Sequence, residues 1–150
     1  MTGFTHTDVP TLEDQVFLVT GANTGIGLEA SRVMAERGAR ILLGCRSADK
    51  ADAAIRSIRE TAPDAELEHL ALDLGDLESI RGAAERVNRE ARLDGLINNA
   101  GIMMPPLERT AQGFESQFGV NHLGPFALTA LLLPVLMATQ DARVVNTSSV

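Results

Sequence analysis

Tyrosine and tryptophan are absent from these 150 residues, and five phenylalanines make up the whole 3% aromatic share. No phenol is therefore available within this stretch to give or take a proton. Cysteine occurs once, at Cys45, which excludes an internal disulfide and any site built on paired thiolates and fits a reducing, cytoplasmic setting. His6, His69 and His122 share no spacing that suggests a metal, and no metal site is expected. Basic residues are in deficit, 13 against 20 acidic ones for a net charge of -7, with no basic run to track a phosphate backbone. Nucleic acid is excluded as a partner on that ground. The first ten residues lack an apolar core, so they are neither a secretory signal nor an anchor, and residues 1–11 read as a loose tail. The longest apolar stretch, residues 126–138, contains Pro134 and falls short of the roughly 20 residues that span a bilayer, so no membrane association is expected. The chain ends on the apolar Val150 with no turn after it and reads as cut off there.

What is present is an alternation. Val16 to Thr20 is a short, β-branched-rich strand, and Ile26, Leu28, Ala30, Val33 and Met34 recur at helical spacing over residues 25–37. Gly38 closes that helix, and residues 40–44 read as a buried parallel strand. A second helix is expected over residues 48–61 and a third strand over 67–72. Asp76 can cap a helix running to about Arg92, and Asp94 and Gly95 turn into a strand at residues 96–98. Past Pro105 and Pro106, helices are expected over 110–118 and 120–137, with Pro125 bending the second near its start, and a strand over 143–147. Strands alternating with helices through short connections imply an α/β, Rossmann-type doubly wound parallel sheet with helices on both faces, forming one domain over residues 1–150. In such sheets ligands bind beyond the carboxyl ends of the strands.

Between the first strand and the first helix stands Thr20, Gly21, Ala22, Asn23, Thr24, Gly25, Ile26, Gly27. Glycine permits backbone angles and close approach that a Cβ forbids, so a pyrophosphate can reach the amides at the helix start, where the dipole favours an anion. Asn23 and Thr24 can add side-chain donors. An ordinary tight turn explains one or two glycines, but three in this context favour a dinucleotide cradle.

The run Thr20 to Gly27 resembles the T-G-x-x-x-G-I-G motif of the short-chain dehydrogenase/reductase family. Asp73 with Leu74, Asn98 to Gly101, Asn121, and Ser148 with Ser149 follow in that family's order. "TGANTGIG" and "GVNHLG" look most similar to its retinol-dehydrogenase-like branch. The resemblance implies a hydride moved between a nicotinamide and a carbonyl or alcohol carbon of a small molecule; Met103, Met104, Pro105 and Pro106 offer a soft apolar surface on one side that would suit a hydrophobic substrate. It implies that Gly21, Asn23, Thr24, Gly25, Ile26 and Gly27 hold the pyrophosphate. Asp73 and Leu74 would meet the adenine, while Asn98, Ala100 and Gly101 would lie along the riboses and Asn99 would tie strands together. Asn121 and Ser149 would be the catalytic asparagine and the serine that holds the substrate oxygen. An acidic residue at the end of the second strand would suit NAD, but the chain has Cys45 and then Arg46, whose guanidinium can pair with a 2′-phosphate. NADP is therefore expected over NAD.

The family's Tyr-x-x-x-Lys pair, in which the lysine's charge favours phenolate, has no counterpart here. That expectation places it after Val150. The alternative is a non-catalytic, dinucleotide-binding redox sensor. Residues 126–137 could pair with their copy in a homodimer or homotetramer.

Overall fold

The computed structural model describes residues 3–148 and builds a five-stranded, wholly parallel sheet in the order β3-β2-β1-β4-β5. The strands are β1 (Val16–Thr20), β2 (Arg40–Cys45), β3 (Leu67–Ala71), β4 (Gly95–Asn98) and β5 (Arg143–Asn146). Strand β1 pairs in register with β2, Val16 opposite Arg40, and with β4, Phe17 opposite Gly95. The doubly wound parallel sheet expected from the alternation is present.

Because side chains alternate along a strand, neighbouring apolar residues enter different layers. Leu18, Leu42 and Leu96 join Ile80, Ala84 and Val87 of α3 (Leu77–Val87) and Leu128, Leu132 and Leu136 of α5 (Gly124–Ala138). Val19, Ile41 and Leu43 join Ala35 of α1 (Gly25–Glu36) and Ala54 and Ile58 of α2 (Ala48–Arg59). Continuous apolar runs are thus what a sheet covered on both faces requires. Helix starts are capped as their residue types dictate: the Ser47 hydroxyl accepts from Lys50 N and the Asp76 carboxylate from Glu78 N.

Three stretches depart from the sequence reading. Residues 3–11 are not simply loose, since His6–Asp8 form a 3-10 turn closed by Thr5 and Asp8, and Arg37 Nη2 donates to the His6 carbonyl at 2.9 Å. Helix α3 ends at Val87 rather than near Arg92. Residues 110–115 are not helical: the chain turns back on itself, and helix begins only with α4 (Ser116–Phe118). A π-helical turn, Gly119–Leu123, then leads directly into α5, so Ser116–Ala138 is one helical stretch of 23 residues. Pro125 sits directly after the π-helical turn, in the first turn of α5. By length and composition this stretch could cross a membrane, yet its Leu128 and Leu132 are fully buried in the core. Phe126, Leu133 and Met137 point outward and are exposed.

Along one edge of the sheet, Arg40 and Arg86 pair with Glu68 and Glu90. Burial pushes the Glu90 carboxyl up, but hydrogen bonds from Arg40 and Arg86 outweigh it and hold the group below the usual glutamate range. A depressed folded-state value means that the stabilisation is complete above the unfolded pKa of about 4.3 and is lost as pH falls through the folded value. Thermal melts of Glu90→Gln should accordingly fall less steeply between neutral and acid pH than those of the wild type. Identical slopes would remove this group from the acid response.

Candidate dinucleotide crevice and its neighbouring cavity

Strand order reverses at β1, with β2 on one side and β4 on the other, and the crevice at such a switch opens at the carboxyl ends of the strands. A cleft of about 590 Å³ lies there, lined by Gly21, Asn23, Thr24, Arg46, Asp73, Leu74, Ala100 and Gly101 among the residues singled out from sequence. A larger hollow of about 820 Å³, bordered by Gln15, Arg40 and Asp64, lies at the opposite ends of the strands, away from the glycine turn.

The turn itself is built for close approach. A Cβ on Gly27 would stand 2.5 Å from both the Gly21 carbonyl oxygen and Asn99 Nδ2, so only a glycine lets α1 start this near β1 and β4. Gly25, at φ +57, has nothing within 4 Å of where its Cβ would be. Its backbone faces open space. Thr24 occupies the N-cap of α1, yet its hydroxyl makes no capping bond, which leaves the first helical N–H groups to an incoming anion. Ile26 is exposed at the same helix start. These features fit a pyrophosphate.

Arg46, just past β2, is exposed and has no ion-pair partner among the described residues. Beside it Cys45 is buried, and burial pushes its thiol up, so it contributes wall rather than a thiolate. Asp73 spends Oδ1 on Gly75 N at 2.8 Å, and its own N–H is held by Ser79 Oγ. Leu74 is buried, with its carbonyl against Gly124.

Thr20 ties the turn to the segment after β4. Its hydroxyl, on a side chain 1% exposed, accepts the N–H groups of Asn99 and Ala100, each at 3.0 Å, and donates to Ile97 O at 3.4 Å. The Asn99 amide returns to Thr20 O at 3.0 Å, tying strands as its motif position implies. Its neighbour Asn98 faces the other way. Buried, it donates to Thr129 Oγ1 at 3.1 Å and Asn146 Oδ1 at 2.8 Å, and its Oδ1 has no partner among the described residues. Asn98 is therefore not in the crevice lining. With Asn121, Thr129, Asn146 and Thr147 it borders a second cavity of about 300 Å³, and Ala100 lines both hollows.

Asn121 lies in the π turn, where its amide donates to Ile102 O and accepts from Ile102 N, both at 2.8 Å. The side chain clamps the strand-to-helix loop, and its ring neighbour His122 stacks on Phe118. Ser149 lies outside the described residues. Met103 and Met104 are both 79% exposed. No group of three or more His, Cys, Asp or Glu among the described residues is placed to hold a metal ion.

Sequence reasoning missed the opposite wall of the crevice, formed by Glu108, Arg109, Thr110, Ala111 and the buried Ser116. Here the chain folds into a tight lip: the backbones of Arg109 and Glu115 form an isolated antiparallel β-bridge, Thr110 N donates to Phe114 O at 2.8 Å, and Gly113 turns at φ +85. Thr110 and Gly113 were the local signals for it, both being residues that favour turns.

The short chain dehydrogenase family profile matches residues 15–150. The chain belongs to the short-chain dehydrogenase family. It is 50% identical over 137 residues to mouse retinol dehydrogenase 12, an alignment covering 91% of this chain and 43% of that protein, and it falls in the retinol-dehydrogenase-like branch. Among solved structures, a protein from Mycobacterium paratuberculosis superposes with a TM-score of 0.79 at 44% identity, over 89% of this chain and 47% of that one. A short chain dehydrogenase from Escherichia coli CFT073, solved in complex with NADPH, gives 0.79 at 34% identity, over 92% of this chain and 60% of that one. The chain thus spans less than half the length of the curated relative it matches.

Proposed function

We propose that the whole protein is an NADP(H)-dependent oxidoreductase that moves a hydride between nicotinamide and a carbonyl or alcohol carbon, and that these residues hold the dinucleotide. The observation that carries the reading is the open cradle at the start of α1 with an unpaired arginine at the end of β2. The free N–H groups of α1, with Asn23 and Thr24, bind the pyrophosphate. Arg46 clamps the 2′-phosphate, and the remaining carboxylate oxygen of Asp73, with the Leu74 amide, receives the adenine. Ala100 and Gly101 carry no bulk to obstruct the riboses, and Ala100 marks the passage from the crevice to the smaller cavity. That cavity is the reacting end, where Thr147 leads on to Ser149, which holds the substrate oxygen. NADP(H), when bound, supplies the hydride to a carbonyl or accepts it from an alcohol. No tyrosine that could transfer the proton lies within these 150 residues. The exposed Met103 and Met104 suit an apolar substrate.

Titration of the full protein with NADPH and NADH, followed by NADPH oxidation with a panel of aldehydes and ketones, tests this. Arg46→Ala should weaken NADPH about 10- to 100-fold, the range expected for a lost charge-assisted pair, and leave NADH unchanged. Equal affinity of the wild type for both cofactors would defeat the 2′-phosphate assignment. Tight NADPH binding with no turnover of any carbonyl would favour a redox sensor.

A further inference from the structure

The lip that replaces the expected helix is fastened from outside itself. Ala111 N donates to Gly75 O at 3.1 Å, directly after the Asp73–Leu74 corner of the crevice. Gln112 spends both ends of its amide on the start of α3: Oε1 accepts from Leu77 N at 3.1 Å and Nε2 donates to Asp76 Oδ1 at 3.0 Å. Leu77 N is one of the first-turn donors that an α-helix cannot satisfy internally, so Gln112 caps α3 from across the crevice. The bond from Gln112, with those from the helix's own N–H groups, holds the Asp76 carboxyl below the usual aspartate range. On its other flank Thr110 packs so closely on Gly119 that a Cβ there would collide with the Thr110 methyl. Glu108, Arg109, Thr110 and Ala111 line the crevice from this fastened position.

The geometry points to a positioning role for Gln112: it holds the lip as a preformed wall against the adenosine half of the dinucleotide and thereby sets affinity for that half alone. The inference rests on the proposed dinucleotide site and names a determinant of its affinity. Gln112 is not in the crevice lining, though its partner Asp76 is, so it acts through the lip and the α3 corner it fastens. A lip freed at its tip must be re-immobilised on binding, and apparent affinity falls by the fraction of time the wall is in place. With two exposed hydrogen bonds removed, that fraction falls severalfold, at most about tenfold.

The test uses the full chain and four probes: NADPH, adenosine 2′,5′-bisphosphate, adenosine 5′-diphosphate and reduced nicotinamide mononucleotide. Gln112→Ala should weaken NADPH and adenosine 2′,5′-bisphosphate severalfold, up to about tenfold, with mononucleotide affinity unchanged, while the lost cap on α3 lowers the melting temperature by only a few degrees. Gln112→Glu, which sets a second carboxylate against Asp76, should weaken them further. Wild-type affinity of Gln112→Ala for the adenosine probes would overturn the proposal, as would a loss shared equally by the mononucleotide. A wild type that prefers the 5′-diphosphate to the bisphosphate would sink the Arg46 assignment while leaving the lip to be judged on that probe. A wild type that binds none of the four would overturn both readings.

Discussion

Gly27→Ala should cost NADPH affinity about a hundredfold, close to 2.7 kcal/mol, and destabilise the fold by about 1–3 kcal/mol. The added methyl would sit 2.5 Å from the Gly21 carbonyl oxygen and from Asn99 Nδ2, and neither can yield cheaply. Gly21 is fastened through its N–H to Gly44 O at 2.8 Å, and Asn99 Nδ2 is bonded to Thr20 O. Relief must come from α1, whose first turn would swing away from β1 and carry its free N–H groups off the crevice. Gly25→Ala is the informative companion. Its methyl meets nothing within 4 Å, so the fold bears only the strain of a left-handed alanine, roughly 1 kcal/mol, while the anion's approach to the open cradle is narrowed. Fluorescence titration and thermal melts of the two variants separate packing from ligand access. Wild-type NADPH affinity in Gly27→Ala would mean that the helix start is not the phosphate seat.

The strands were legible because buried parallel strands are short apolar runs bounded by turns, and residues 16–20 and 40–44 could hardly be anything else between those glycines. Residues 110–115 were not. Ala111, Phe114 and Phe118 are spaced as a helix face would space them, and propensity alone does not oppose it. What decides against helix is tertiary: Gln112 finds its partners 35 and 36 residues away on α3, and the Thr110 hydroxyl takes Phe114 N for the turn instead. The π turn is equally silent in a period, since one extra residue per turn looks like a slip in the pattern. The adjacent asparagines show another limit. Period two sends Asn98 and Asn99 to opposite faces of the sheet, but a motif does not say which face holds the ligand. Asn99 went to Thr20, and Asn98 went to Thr129 and Asn146, where it braces the end of β5 that leads toward Ser149.

The second large effect should come from Thr20→Val, a change that keeps shape and removes one oxygen. That oxygen accepts two backbone N–H groups in an environment 1% exposed, and a buried donor left unpaired costs about 1–3 kcal/mol. With two such donors the loss should be about 3 kcal/mol, a substantial share of the roughly 5–15 kcal/mol that holds a domain of this kind together. The melting temperature should drop on the order of 10 °C. Dinucleotide affinity should fall as well, because the segment from Asn99 to Gly101 forms the crevice floor and Thr20 is its anchor to the glycine turn. Thr20→Ser separates the hydroxyl from the methyl: it should recover most of the stability and the affinity, since the methyl is the smaller contribution. If the valine variant melts with the wild type, the N–H groups of Asn99 and Ala100 have found other acceptors. The knot between turn and β4 would then lie in the Asn99 amide alone.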